Sequence, residues 1–321
     1  MITKNTSVHY MQTRAWADIK AAFGWKSDIV ELGHANIVVY KRSVPGVGKL
    51  VYIPGATTTN PDGLTEVLRK RYAKKAFAAR LELNQLYDER LVSRYEALGW
   101  RSIQKHVQYR HTVTVDLSQP EDDIWMSFKS RGRYEVLQAQ KAGVIIEQAE
   151  PTADNLKKMY ELMQVTSARN KFFIRDTKFT MAYWYKFAAD NNLKLFFATH
   201  EGDVLAGAIV LISGKLAWYK DGGSVRIKSN LMAPRLMQWE IMKALKQEGI
   251  NTYDLGGIPA PENHKDSSMH GIYVFKSAYS KETVTLMPTL ELPLSARYAL
   301  WPKAEKQWLR VYNLFAHNLW W

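Results

Sequence analysis

The chain has 321 residues, 46% of them hydrophobic and 12% aromatic, which is enough apolar side chain for two domains of ~150 residues each. It contains no cysteine, which excludes disulfides, zinc–thiolate sites and thiol nucleophiles and fits a reducing cytoplasm. Forty-four Lys and Arg against 31 Asp and Glu leave a net charge of +13, which favours a polyanionic partner (RNA, a phosphorylated metabolite or an anionic membrane face) unless the cations serve only solubility.

Near the start, "TRAWADIKAAFGW" reads as a short helix, and "NIVVYKRSV" and "GKLVYIPG" as strands joined through Pro45-Gly46. Asp62 is placed to cap "GLTEVLRKRYAKK", in which Leu64, Val67, Leu68 and Tyr72 share a face, and "AFAARLEL" then alternates as a strand does. The helix "DERLVSRYEALG" ends at Gly99, and the strands "WRSIQ" and "HTVTVDL" follow. Helices through "DDIWMSFKSRGRYEVLQAQKAG", a strand "VIIEQA" and helices "TADNLKKMYELMQ" and "FTMAYWYKFAAD" come next. Three strands with tight turns, "LKLFFATH", "VLAGAIVLI" and "KLAWYKDG", lead into the helix "APRLMQWEIMKALKQEG" and the strand "NTYDLGG". "YVFK" is read as a further strand ending on Lys276.

Strand-rich meander, long helix, strand ending in a loop: this order resembles the GNAT acyltransferase core, and it is met twice. The predicted fold is α/β (α+β), two GNAT-like domains, each a mixed sheet flanked by helices. The first spans 1–108 plus 297–321, with the C-terminal helix returning to it, and the second spans 109–296. A GNAT enzyme that uses acyl-CoA needs a glycine-rich turn before its long helix, where bare N–H groups cradle the pyrophosphate. Here that turn reads "SNLMAPRLM", with no glycine between Ser224 and Gly249, so the acyl group is expected from another carrier. The first twenty residues contain no apolar run of signal-peptide length, so no secretion by that route is expected, and "VLAGAIVLI" is too short to span a bilayer. A cytoplasmic location is expected.

"QTRAWADIK", "KSRGRYEVLQAQKAGV", "WYKDGGS", "YDLGGI" and "YVFK", in this order over nearly the whole chain, resemble the Fem (FemABX) family of peptidoglycan interpeptide-bridge aminoacyltransferases. The lack of a long heptad segment makes the chain similar to the compact type without a coiled-coil arm. The resemblance implies transfer of an amino acid from aminoacyl-tRNA, a co-substrate rather than a cofactor, to a stem-peptide amine of a UDP-linked or lipid-linked precursor. No cofactor is expected, and the chain is expected to be a monomer. Rival readings are another N-acyltransferase of this fold, or a silent RNA-binding or membrane-associated module.

By the same resemblance Lys276 is catalytic, stabilising the developing oxyanion or the departing ribose oxygen. Lys20 and Arg175 match phosphate-binding positions for the precursor, and Tyr219 matches a residue lining the acceptor cleft. Glu82 stands where the family has an acid before proline, with Leu83 in the proline's place; receipt of the amine's proton is the role at issue. Asp221 replaces a tyrosine of the compact type. From the residues themselves, Asp254 is expected to bond backbone N–H groups of its loop, and His264 and His270 lack a third ligand for a metal. "KSRGRYEVLQAQK" either tracks the tRNA acceptor stem or forms a solvated face. The terminal segment places Trp308, Val311, Tyr312, Phe315 and Leu319 at helical spacing, either as a packing helix or as an anchor in peripheral contact with the inner membrane face.

Overall fold

The computed structural model describes residues 7–316 and 320–321, the side chains of 314–316 excepted. Of the terminal residues named above, Leu319 and the Phe315 side chain therefore lie outside the described residues. The chain forms two compact units, one from Val8–Arg110 and Thr285–Trp321, the other mainly from His111–Val284.

The first unit opens with α1 (Arg14–Ala22), followed by β1 (Lys26–Leu32), β2 (Ala35–Val44) and β3 (Gly48–Ala56), an antiparallel meander. Next comes α2 (Pro61–Tyr72), whose N-cap is Asn60, not Asp62: Asn60 accepts from Gly63 N at 2.9 Å, and Pro61 occupies the first turn, where no N–H is needed. Leu64, Leu68 and Tyr72 bury one face of α2. Strand β4 (Ala78–Leu83) runs parallel to β3, and α3 (Glu89–Ala97) and β5 (Arg101–Ile103) complete this part. Every residue of β4 is buried: Ala79, Leu81 and Leu83 join the apolar core, while Arg80 and Glu82 are buried with polar partners.

The second unit contains β6 (His111–Asp116), α4 (Glu121–Ser127), α5 (Ser130–Lys141), β7 (Ile145–Ala149), α6 (Ala153–Asn170) and α7 (Thr177–Ala189). The meander β8 (Leu193–His200), β9 (Asp203–Ser213), β10 (Leu216–Ser224) precedes α8 (Ala233–Gln247), β11 (Thr252–Ile258), α9 (His270–Lys276) and β12 (Val284–Thr285). The seven-stranded sheet has the order β12-β6-β11-β10-β9-β8-β7, in which β10 and β11 are parallel and the pairs β6-β11, β10-β9, β9-β8 and β8-β7 antiparallel. Strand β9 is buried along nearly its whole length, as suits a central strand covered on both faces.

The chain then returns to the first unit. Strand β13 (Thr289–Pro293) inserts between β4 and β5, giving a six-stranded sheet β1-β2-β3-β4-β13-β5, and α10 (Trp301–Ala316) closes this unit. The division therefore falls at 110/111 and 284/285, not at 108/109 and 296/297. "TLELP" is in the first unit because its backbone pairs with β4 and β5. Meander, helix and parallel strand recur as β1-β2-β3, α2, β4 and as β8-β9-β10, α8, β11. The doubling read from element order is thus present in the strand order.

Candidate active site

Strands β3 and β4 pair from Leu50 and Ala78 through to Ala56 and Leu83, whereas β10 and β11 pair only from Leu216 and Thr252 to Trp218 and Asp254. Beyond that point β10 bulges between Tyr219 and Asp221, and β11 shifts register against β6 between Asp254 and Gly257. The carboxyl ends of parallel strands that lose their pairing are a common ligand position in α/β proteins. Among the described residues only the second unit has such a parting, since β3 shifts register between Pro54 and Ala56 yet stays paired with β4.

Lys276 reaches into it. Its residue ends α9, a helix rather than the strand read from "YVFK": Tyr273 N bonds Met269 O and Ser277 N bonds Tyr273 O, both at helical spacing. A four-residue apolar run has too little length to separate the two periods. The ammonium donates to the Gly257 carbonyl at 2.9 Å and lies 5.9 Å from the centroid of the Tyr219 ring. Gly256 makes the approach feasible with φ +77°, and a Cβ there would stand 3.3 Å from Lys276 Nζ.

Burial lowers the Lys276 pKa to about 8, opposed by the Asp254 carboxylate. Asp254 accepts from Gly256 N at 2.7 Å and from the Thr112 hydroxyl, so it holds the loop as its place before two glycines predicts. Burial raises the Asp254 pKa, while the two hydrogen bonds and Lys276 pull it down. Tyr219 is half-buried, and burial holds its phenol well above its ordinary range, so it stays protonated. Asp221 accepts from Trp184 Nε1 at 3.0 Å and from the Tyr183 hydroxyl, which ties it to α7.

Tyr219 and Lys276 are thus brought together. Arg175, in the same unit, is half-buried with its guanidinium 4.5 Å from the Phe179 ring centroid, and its carbonyl accepts from the Tyr160 hydroxyl at 3.0 Å. In the first unit Lys20 is 4% exposed, a buried lysine rather than a surface one, with Nζ 4.5 Å from the Trp25 ring centroid. Trp25 neighbours Tyr52, whose hydroxyl donates to Glu82 at 2.6 Å. Glu82 also accepts from Val107 N at 2.7 Å, Gln108 N at 3.2 Å and Thr289 Oγ1 at 2.9 Å. Four donors occupy the lone pairs of this carboxylate, which leaves it to brace residues 107–108 and β13 rather than take a proton from an amine.

Arg235, Glu135 and Gly132, which hold the site, were not assigned to it from sequence. Arg235 is bonded to the Phe275 carbonyl and pairs with Glu135 at 2.6 Å, so it fixes the end of α9 from α8. Gly132 lets α5 meet the same turn, since a Cβ there would stand 2.7 Å from the Ala278 carbonyl. Arg131 bonds Glu135 at 2.9 Å and Arg133 bonds the Phe128 carbonyl, so both arginines of "KSRGRYEV" have intramolecular partners. His264 and His270 face each other with Nδ1 atoms 3.1 Å apart.

Residues 127–266 match the GNAT acetyltransferase domain family, which places that core in the second unit. The lipid II:glycine glycyltransferase of Staphylococcus haemolyticus (strain JCSC1435) is 22% identical over 84% of each chain. That of Staphylococcus aureus (strain MRSA252) is 21% identical over 87% of this chain and 86% of its own. The crystal structure of FemX superposes with a TM-score of 0.82 at 20% identity, covering 94% of this chain and 96% of the other. Over most of its length the chain is thus similar to the Fem proteins in sequence and in fold. It is an acyltransferase of the aminoacyl-transferring kind, with Lys276 at the parting of its GNAT sheet.

Proposed function

We propose that this Fem-like protein moves an aminoacyl group from an aminoacyl-tRNA to the stem-peptide amine of a peptidoglycan precursor, forming part of a cell-wall interpeptide bridge. The observation that carries the proposal is the Lys276 ammonium held beside Gly257 and Tyr219 where β10 and β11 part. The staphylococcal relatives are lipid II:glycine glycyltransferases, which favours a lipid-linked over a UDP-linked acceptor here.

The unprotonated acceptor amine attacks the ester carbonyl, and the C–N bond forms as negative charge gathers on the carbonyl oxygen. Lys276 donates a hydrogen bond to that oxygen. As the C–O bond to the ribose breaks, Lys276 gives its proton to the departing oxygen and regains one from the new N–H centre. The donor is already an activated ester, so positioning and one placed cation suffice and no cofactor enters. Lys20 and Arg175 are proposed phosphate ligands, and Tyr219 a donor toward the acceptor. The working form is a cytoplasmic monomer.

Incubation with a mixed pool of charged tRNA and purified precursors, read by mass, tests this. A precursor heavier by one aminoacyl residue is the expected product. Transfer from acetyl-CoA with none from aminoacyl-tRNA would overturn the proposal.

A further inference from the structure

In the first unit, α10 shows two faces. Trp301 and Glu305 turn inward and are almost wholly buried, and Glu305 is held by Arg80 at 2.6 Å and Lys105 at 3.0 Å. On the other side a stripe at positions 300, 304, 308 and 311 lines a groove of about 540 Å³ together with the β2–β3 turn. Its apolar lining is Val44, Pro45, Val47, Leu300, Trp308 and Val311, of which Leu300 is 54% and Val311 46% exposed. Such large apolar side chains left open side by side mark a binding surface more often than a solvated one.

A second hollow of about 560 Å³ adjoins the groove and shares Val44 and Leu300 with it. Its charged lining is Lys49, Lys75 and Arg297, and Lys303 stands on the groove itself. None of these four cations is bonded to a carboxylate among the described residues. The sequence supplies no acid to pair them: residues 43–49, 73–77 and 296–313 contain one carboxylate, Glu305, and it faces inward. An apolar trough beside unpaired cations is complementary to a surface that is anionic outside and hydrocarbon beneath.

We propose that this face, the β2–β3 turn with residues 297–311, docks on an anionic phospholipid bilayer. Leu300, Trp308 and Val311 enter the acyl boundary while Lys49, Lys75, Arg297 and Lys303 meet phosphate headgroups. RNA would satisfy the cations but gains nothing from the trough, and a second copy of this basic chain would bring cation to cation. The proposal stands apart from the transferase reaction, whose lysine is in the other unit.

Co-sedimentation of the full chain with vesicles tests it, using phosphatidylcholine alone and phosphatidylcholine with phosphatidylglycerol. Binding to the anionic vesicles, weakened by salt, with little to the zwitterionic ones, is expected. Leu300→Ser with Val311→Ser, both at exposed positions, removes the apolar term. Lys49→Gln with Lys303→Gln is expected to weaken partition by about 25-fold, roughly fivefold for each cation. Both double variants should melt at the wild-type temperature and keep transfer to a water-soluble acceptor. Failure of the wild type to sediment, or equal sedimentation of wild type and both double variants, overturns the proposal. So does a wild-type dimer in light scattering that the serine pair dissociates, or tRNA binding that the glutamine pair abolishes while vesicle binding persists.

Discussion

Lys276 carries its charge where burial works against it, and the pKa of about 8 records that opposition. Below that pH the ammonium is present and can meet an oxyanion; as pH rises through it, the donor is lost. The acceptor amine works in the opposite sense, gaining reactivity as it deprotonates. Single-turnover rates should therefore climb, then bend downward near pH 8, and the falling limb should vanish in Lys276→Met. Loss of one oxyanion donor costs about 100- to 1000-fold in rate, with both substrate affinities little changed. A variant transferring at the wild-type rate would remove Lys276 from the mechanism. Gly256 is the companion test: Gly256→Ala places a methyl 3.3 Å from Nζ on a backbone at φ +77°. Stability should drop by about 1 kcal/mol with a larger relative fall in turnover, measured by denaturant melts beside rates.

At the scale of elements, what reaches Lys276 is the packing of three helices. Helix α9 is seven residues long, too short to hold itself in water, and its last turn is fixed by Arg235 from α8 and by α5 across Gly132. Gly132→Ala should therefore cost about 1–3 kcal/mol and lower kcat more than it raises KM; an unchanged melt and unchanged kcat would refute the packing role. The turn before α8 makes a second test. Lys228 and Met232 adopt φ of 50° and 54° there, Pro234 lacks an N–H, and Lys228 is engaged by Glu201 at 2.8 Å and Asp203 at 3.0 Å. Carboxylates and a missing donor suit a pyrophosphate poorly, so calorimetry should find no saturable CoA binding.

The helices and strands of regular length were legible from periodicity, and Asp254's loop bonds from the residue pattern alone. The failures have a common origin in partners distant along the chain. "YVFK" is helical where Arg235 of α8 bonds the Phe275 carbonyl and Gly132 of α5 meets Ala278 just beyond. Glu82 looked available until β13, 207 residues away, brought Thr289 to it. Asn60 displaced Asp62 as cap because the helix starts at Pro61, two residues earlier than read. Lys20, read as one of many surface cations unless it bound phosphate, is buried against Trp25, which no local pattern near it announces.

For the molecule as a whole, the net charge of +13 was the first feature visible and remains a discriminating one. A basic protein that uses its cations on tRNA releases condensed counterions on binding, so affinity must fall as a power of salt concentration. With about four phosphate contacts, raising salt fourfold weakens binding roughly sixtyfold, since the slope on logarithmic axes is near −3. Cations that serve only solubility give no such power law, and affinity then changes by less than about twofold. Fluorescence anisotropy with labelled tRNA, repeated across salt, separates the two. Kinetics sharpen the test: KM for charged tRNA should rise along the same line, while kcat at saturation, set by the shielded site around Lys276, should stay level. A kcat that falls with salt as steeply as affinity does would mean that the charge acts on the chemical step and not on tRNA capture.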